Sequence, residues 1–238
     1  MSAVETARSG LGRMIATGEL GVGERLPSEA ELCERFGVSR SSLREAQKML
    51  SVAGALASRP GGRPTVSQMS ASDIMRGPAM VVPLLPLNRF LELFALREVL
   101  EGHIAAQAAA KMSDADATRL EELAEELAET APSDEAQRLD AQFHDLIIDS
   151  SGDEMMAALL ETIRRRGRDY RIFEEEDHAE LKSVSDRAHG AMARAIAARD
   201  PETARFLSME HVRATRTWLE GIRPGPTLFE DLDALSRS

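Results

Sequence analysis

The chain has one cysteine in 238 residues, Cys33, which excludes an internal disulfide framework. It has no N-terminal basic-then-apolar segment of the kind that directs secretion. Long hydrophobic runs are missing too. The longest, over residues 78–87, holds three prolines and falls far short of the roughly 20 residues a membrane-spanning helix needs. A cytoplasmic protein without membrane contact is expected. Positive charge is scarce overall, since 29 Lys and Arg face 40 Asp and Glu for a net charge of -11. That balance argues against nucleic acid, whose binding depends on cations displacing counterions from phosphates. The average hides an asymmetry, however. Residues 1–66 carry nine Lys/Arg against seven Asp/Glu, and the acidity is confined to the remainder. A nucleic-acid-binding module joined to an acidic, non-binding domain would have this distribution.

What is present in the first third is a series of short helical patterns punctuated by turn formers. Ser28 and Glu31 form a capping box that opens a helix through Phe36, with Leu32 and Phe36 on its inner face, and Gly37 ends it. Ser39 caps a second helix. Val38 and Leu43 take the staple positions around that start, and Leu43, Ala46, Leu50 and Ala53 give the second helix a buried stripe. Two helices joined by so short a turn containing Gly predict a helix-turn-helix. Residues 55–58 and 64–66 then flank Arg59-Pro60-Gly61-Gly62-Arg63 as a hairpin with a Gly-Gly turn. An earlier helix carrying Gly10 and Gly12, each costing about 1 kcal/mol relative to Ala, is expected to fray or start late.

The second helix exposes Arg40, Ser41, Ser42 and Arg44 in its first turns while its other face is apolar. Arg can reach guanine O6 and N7 in bidentate fashion, and Ser can reach base edges or phosphates, so this helix suits a DNA major groove. A solvated surface helix would have the same charge pattern. The ordered segments GERLPSE at 23–29 and GVSRSSLREA at 37–46, with Gly61-Gly62-Arg63 beyond, resemble the GntR family of bacterial regulators over residues 4–66. The resemblance implies a winged helix-turn-helix whose operator contacts are Ser39, Arg40, Ser41, Ser42, Arg44, Gly61, Gly62 and Arg63. Ala30 stands where the family often has a further DNA-contacting Arg.

From residue 68 to 88 periodicity fails around Pro78, Pro83 and Pro86, which predicts a linker. Beyond it, helical patterns cover 89–111, 114–130, 134–150, 154–170, 180–199 and 201–221, with short separators. The expected fold is therefore mainly α: a winged helix-turn-helix over 1–67, then an antiparallel all-α bundle of six to seven helices over 89–222, then a tail from 223.

Asp140 and His144 lie four apart on one helical face, and His189 and His211 fall near the middles of the last two helices among apolar residues. A single histidine on such a face usually belongs to the core. Three with an aspartate on inward faces could hold a divalent metal with open positions, zinc, nickel or manganese, one per chain. Segments 93–101 and 139–144, with His189 placed 22 residues before His211, resemble the C-terminal FCD-type domain of the FadR subfamily, in its metal-binding branch rather than its acyl-CoA-binding one. The resemblance implies that Asp140, His144, His189 and His211 hold the metal at the floor of a pocket. There a small organic acid completes the coordination and Arg97 supplies a counter-charge; Arg97 could equally pair with Glu101 one turn away. His103 and His178 have no such support. The basic run Arg164, Arg165, Arg166 and Arg168 is expected to be a solvated face.

The function expected is a homodimeric transcriptional regulator, a repressor, acting at the bacterial nucleoid. It would read two half-sites of pseudo-palindromic, double-stranded operator DNA and respond to the acid. A metal hydrolase would need a general base that the sequence does not place beside the ligands. A sensor of the metal itself, without an organic effector, is a third reading.

Overall fold

The computed structural model describes residues 1–57, 62–168, 170 and 179–223. Two compact units divide the chain, one of Met1–Val81 and a second beginning at Val82.

The first unit starts with helix α1 (Ala3–Ala16), whose N-terminus is capped by the Ser2 hydroxyl accepting from the Glu5 N–H. The helix is complete despite Gly10 and Gly12, which corrects the expectation of fraying. The reason is tertiary. A Cβ on Gly10 would lie 2.6 Å from Cε1 of the Phe36 ring, so glycine lets α1 approach α2 (Glu29–Phe36) closely. The packing that results outweighs the propensity cost. The capping box forms as expected: the Ser28 N–H donates to Glu31 at 2.7 Å and Gly37 closes α2 in the left-handed region. Helix α3 (Arg40–Val52) follows, capped by Ser39. Leu43 and Ala46 are fully buried, as the stripe requires; Ala53 is exposed, and Gln47 lies inward instead. Ala7, Leu11 and Met14 of α1 complete a small core with Leu26, Leu32, Leu43, Leu56 and Val66. Strands β1 (Leu56–Ala57) and β2 (Thr65–Val66) pair antiparallel with Leu56 opposite Val66, and Arg25 bridges to Thr65. The wing tip at 58–61 lies outside the described residues.

The segment expected to be a linker holds helix α4 (Ala71–Val81) with Pro78 inside it. Ser70 and Asp73 form a reciprocal cap at its start, Asp73 N–H to the Ser70 hydroxyl at 3.2 Å and Ser70 N–H to the Asp73 carboxylate at 3.3 Å. The helix is fastened to the winged unit. Arg76 donates to the carbonyls of Ser51 and Leu56, and Gly54, at φ +83°, would put a Cβ 1.7 Å from the Asp73 carbonyl oxygen if it were any other residue.

After a 3-10 turn at Val82–Leu84, the second unit is helical throughout its described residues: α5 (Leu87–Glu92), α6 (Phe94–Lys111), α7 (Asp114–Glu129), α8 (Asp134–Ser151), α9 (Glu154–Arg168), α10 (Ala179–Ala197) and α11 (Pro201–Ile222). The pattern over 89–111 is two helices rather than one, because the Leu93 N–H bonds to Phe90 three residues back and breaks the α ladder. Helix α6 packs on α8 and α11, and α7 on α8 and α10. Pairs α7/α8 and α10/α11 are joined by residues 130–133 and 198–200, short enough to turn the chain straight back. One core cluster gathers Ile104, Leu120, Phe143, Leu160 and Ile196, and a second gathers Phe90, Phe94, Ile163, Tyr170, Val212 and Leu219. None of the described helices is long and apolar enough to cross a membrane.

Candidate functional site

In the first unit, the face of α3 opposite Leu43 and Ala46 is open to solvent. Arg40, Ser41 and Arg44 are exposed and Ser42 half-buried. The Ser39 hydroxyl accepts from the Ser42 N–H at 3.2 Å and lies 2.9 Å from the hydroxyls of Ser41 and Ser42, so the helix start presents a cluster of hydroxyls. Arg44 is held in a bidentate pair with Glu29 at 2.8 and 2.9 Å, a partner the sequence reading did not foresee. An exposed pair of this kind is worth about 0–1 kcal/mol, so a phosphate or base can displace Glu29. Gly62 and Arg63 are exposed beside the wing and Ala30 is exposed on α2; Gly61 lies outside the described residues.

In the second unit, α8 contributes Asp140 and His144, α10 contributes His189, and α11 contributes His211. All four are buried, although no polar group would choose that environment without a partner. The ligand-capable nitrogens of the three histidines lie within 4.8 Å of one another. Nε2 of His144 and Nε2 of His189 stand 3.2 Å apart. Asp140 Oδ1 stands 3.6 Å from the first and 3.5 Å from the second. Two ligands at about 2.1 Å from one cation, at angles of 90–110°, are themselves about 3.0–3.4 Å apart, so the spacing fits a shared divalent ion. Protonation does not compete. Burial pushes His189 and His211 down to about 3 and His144 well below the ordinary imidazole value, with the Arg164 guanidinium acting in the same direction on each. Neutral imidazoles keep the lone pairs a metal uses. Nδ1 of His189 is buried without a hydrogen-bond partner, so this ring lacks the outer contact that usually orients a ligating imidazole.

Behind these ligands lies a buried chain of charge. Arg97 and Glu101 pair at 2.8 and 2.7 Å, so the intrahelical ion pair does form, yet it is inside the unit and Arg97 also lines the cavity. Glu101 receives a second guanidinium, Arg164 Nη1 at 3.2 Å, and Arg164 Nη2 lies 3.5 Å from Asp140 Oδ2. Burial opposes ionisation of Glu101, but the two guanidiniums prevail and hold it below the ordinary carboxylate value; for Asp140 burial prevails and raises it. The basic run on α9 is thus corrected. Arg164 and Arg166 are only 6% and 2% exposed, because alternate residues of that run turn inward, Arg164 to Glu101 and Arg166 to the Tyr170 hydroxyl at 2.9 Å. Glu101 and Arg164 were missed as site residues; each meets its partner only through the fold. His103 is half-buried outside the cluster, and His178 lies outside the described residues. A cavity of about 60 Å³ opens onto Arg97, Asp140, His144, Arg164 and His211, with Gln137 and Thr215 at its wall.

Residues 4–66 match the bacterial regulatory proteins of the gntR family, and residues 92–214 match the FCD domain. The chain is 28% identical over 189 residues to the HTH-type transcriptional regulator LutR of Bacillus subtilis, covering 76% of this chain and 86% of LutR. It is 30% identical over 233 residues to the HTH-type transcriptional repressor NanR of Klebsiella aerogenes, covering 90% of this chain and 84% of NanR. The solved structure of Streptococcus agalactiae GntR aligns with a TM-score of 0.52 at 28% identity, over 90% of this chain and 99% of that one. Both matched families and these relatives are transcriptional regulators rather than enzymes, which removes the hydrolase reading. With residues 4–66 matching the gntR family and residues 92–214, later in the chain, matching the FCD domain, the chain belongs to the GntR family and is a DNA-binding transcriptional regulator of the FCD type.

Proposed function

We propose that the chain is a homodimeric repressor whose affinity for a pseudo-palindromic operator is set by a small carboxylate bound at a divalent metal in the helical unit. The observation that carries this reading is the buried imidazole cluster, with the 3.2 Å Nε2 separation between His144 and His189, opening onto a cavity that Arg97, Arg164 and Arg168 line. Asp140, His144, His189 and His211 would hold zinc, nickel or manganese, one ion per chain, and the ion supplies a Lewis-acidic point for a carboxylate oxygen. Arg97 receives the negative charge of the same ligand.

Ser39, Arg40, Ser41, Ser42 and Arg44 read the major groove, and Gly61, Gly62 and Arg63 of the wing meet the adjoining DNA. NanR is named a repressor and the Glc operon relative of Escherichia coli an activator, so the sign of the response rests on the operator assay. Such a protein works in the bacterial cytoplasm, at the nucleoid. Replacing His189 and His211 together by Ala should abolish bound metal, measured by elemental analysis of the purified chain, while the far-ultraviolet helical signal stays near that of the parent. Metal retained at one per chain would refute the site.

A further inference from the structure

We propose that the cavity is built for a doubly charged ligand, a three- or four-carbon dicarboxylate, with Arg164 as a second and unrecognised anchor beside Arg97. The inference rests on the metal reading above and narrows its ligand.

The first support is a balance of charge. Of the three arginines that line the cavity, Arg168 is neutralised by Glu161 at the rim; the other charged groups in and behind it are two guanidiniums, Arg97 and Arg164, and two carboxylates, Glu101 and Asp140, linked in one continuous chain of contacts. They cancel. The imidazoles contribute nothing, because a histidine that ligates a metal is neutral. Nearby cations are paired elsewhere, Arg168 with Glu161 and Lys182 with Asp186. A divalent ion therefore leaves two positive charges in a place where the side chains of Arg97, Glu101 and Arg164 are only 4–6% exposed and that of Asp140 12%. An uncompensated buried charge is costly, and a monocarboxylate cancels only half of this excess.

The second support is an unused donor. Arg164 is 6% exposed and lines the cavity, and its Nε–H has no hydrogen-bond partner. Of its two other contacts, Glu101 at 3.2 Å is at the long end of a hydrogen bond and Asp140 at 3.5 Å is beyond it. A guanidinium buried with spare donors is a carboxylate receptor awaiting its ligand. Arg97 and Arg164 both reach Glu101, so they stand together as a two-guanidinium wall facing the imidazole cluster. One carboxylate group then meets the metal and the other meets the arginines. The space beside the ligands is small, about 60 Å³, which favours a short spacer of malonate or succinate length between the two carboxylates.

The test is calorimetric, on the full chain loaded with zinc, with zinc content measured before any ligand is added. Malonate and succinate are titrated against their half-amides, which keep the size and shape but carry one charge. The dicarboxylates should bind about 10- to 100-fold tighter, the range that a hydrogen bond to a charged group spans. In Arg164→Lys, which keeps the charge and removes the fork, that ratio should fall to within about threefold while zinc content is unchanged. Equal affinity of acid and half-amide in the parent chain would overturn the dianion proposal and leave the metal and monocarboxylate reading standing. A full ratio retained in Arg164→Lys would remove Arg164 as an anchor. A chain that takes up no zinc, or takes up zinc and binds none of the four ligands, would overturn both readings.

Discussion

Acid should destabilise the helical unit well before ordinary carboxylate titration begins, and the metal-free site sets the size of the effect. Burial holds His189 and His211 at about 3, whereas in the unfolded chain each recovers a value near 6.5. Between those values the unfolded chain binds more protons than the folded one, so stability falls as pH is lowered through 6.5 and continues to fall toward 3. At pH 5 each histidine contributes about 2 kcal/mol of destabilisation, and the two together about 4 kcal/mol. His144 adds in the same direction. Asp140, raised by burial, acts oppositely, since its folded form takes up a proton more readily than the unfolded chain does. A loss of this size is a large part of the 5–15 kcal/mol that holds a domain together. The assay is urea unfolding of chelator-treated protein at pH 7.5 and 5.0, followed by fluorescence of the single tryptophan. Trp218 lies on α11 against the Phe90, Phe94 and Leu219 cluster, so it reports the helical unit and not the winged one. The midpoint should drop sharply at pH 5.0 with little change in slope. His189→Gln with His211→Gln should remove most of that pH dependence. Identical midpoints at the two pH values, or an undiminished drop in the double variant, would refute the reasoning.

Two further outcomes follow from the first unit. Arg40→Ala should weaken operator binding by about 1–3 kcal/mol and relax sequence preference at one base position, as measured by anisotropy on a panel of operator variants; unchanged affinity and preference would remove Arg40 from the reading surface. Gly10→Ala separates local from tertiary effects, because helix propensity alone predicts stabilisation of about 1 kcal/mol. The Phe36 ring at 2.6 Å instead predicts a net loss, since overpacking costs about 1–3 kcal/mol, and a rise in the melting temperature of the isolated variant protein would contradict the close contact.

The features readable from sequence are those whose cause is local. The Ser28/Glu31 box, the Ser39 cap and the left-handed Gly37 each involve residues within four positions, and each has the structure that spacing implies. Helix α4 is signalled by the same chemistry, Ser70 followed by Asp73, but three prolines in 78–86 outweigh it in the sequence; in the structure the helix runs through Pro78 to Val81 at the cost of one ladder bond. What could not be read depends on distant partners. Gly10 is a defect in α1 until Phe36, 26 residues on, fills the space it leaves. Arg164 and Arg166 look like a solvated run until Glu101 and Tyr170 receive them from inside. The imidazoles were legible because His144, His189 and His211 each sit on an apolar helical face, whereas the charge chain behind them crosses from α6 to α9 and has no signature in either helix alone.

Operator affinity measured by anisotropy, with the chain zinc-loaded or chelated and with succinate present or absent, tests the link between the two units most directly. Succinate should weaken binding to the operator at least tenfold in the zinc-loaded chain and leave the chelated chain unaffected. An operator affinity that follows zinc alone, with no response to the acid, would make the chain a metal sensor and contradict ligand control.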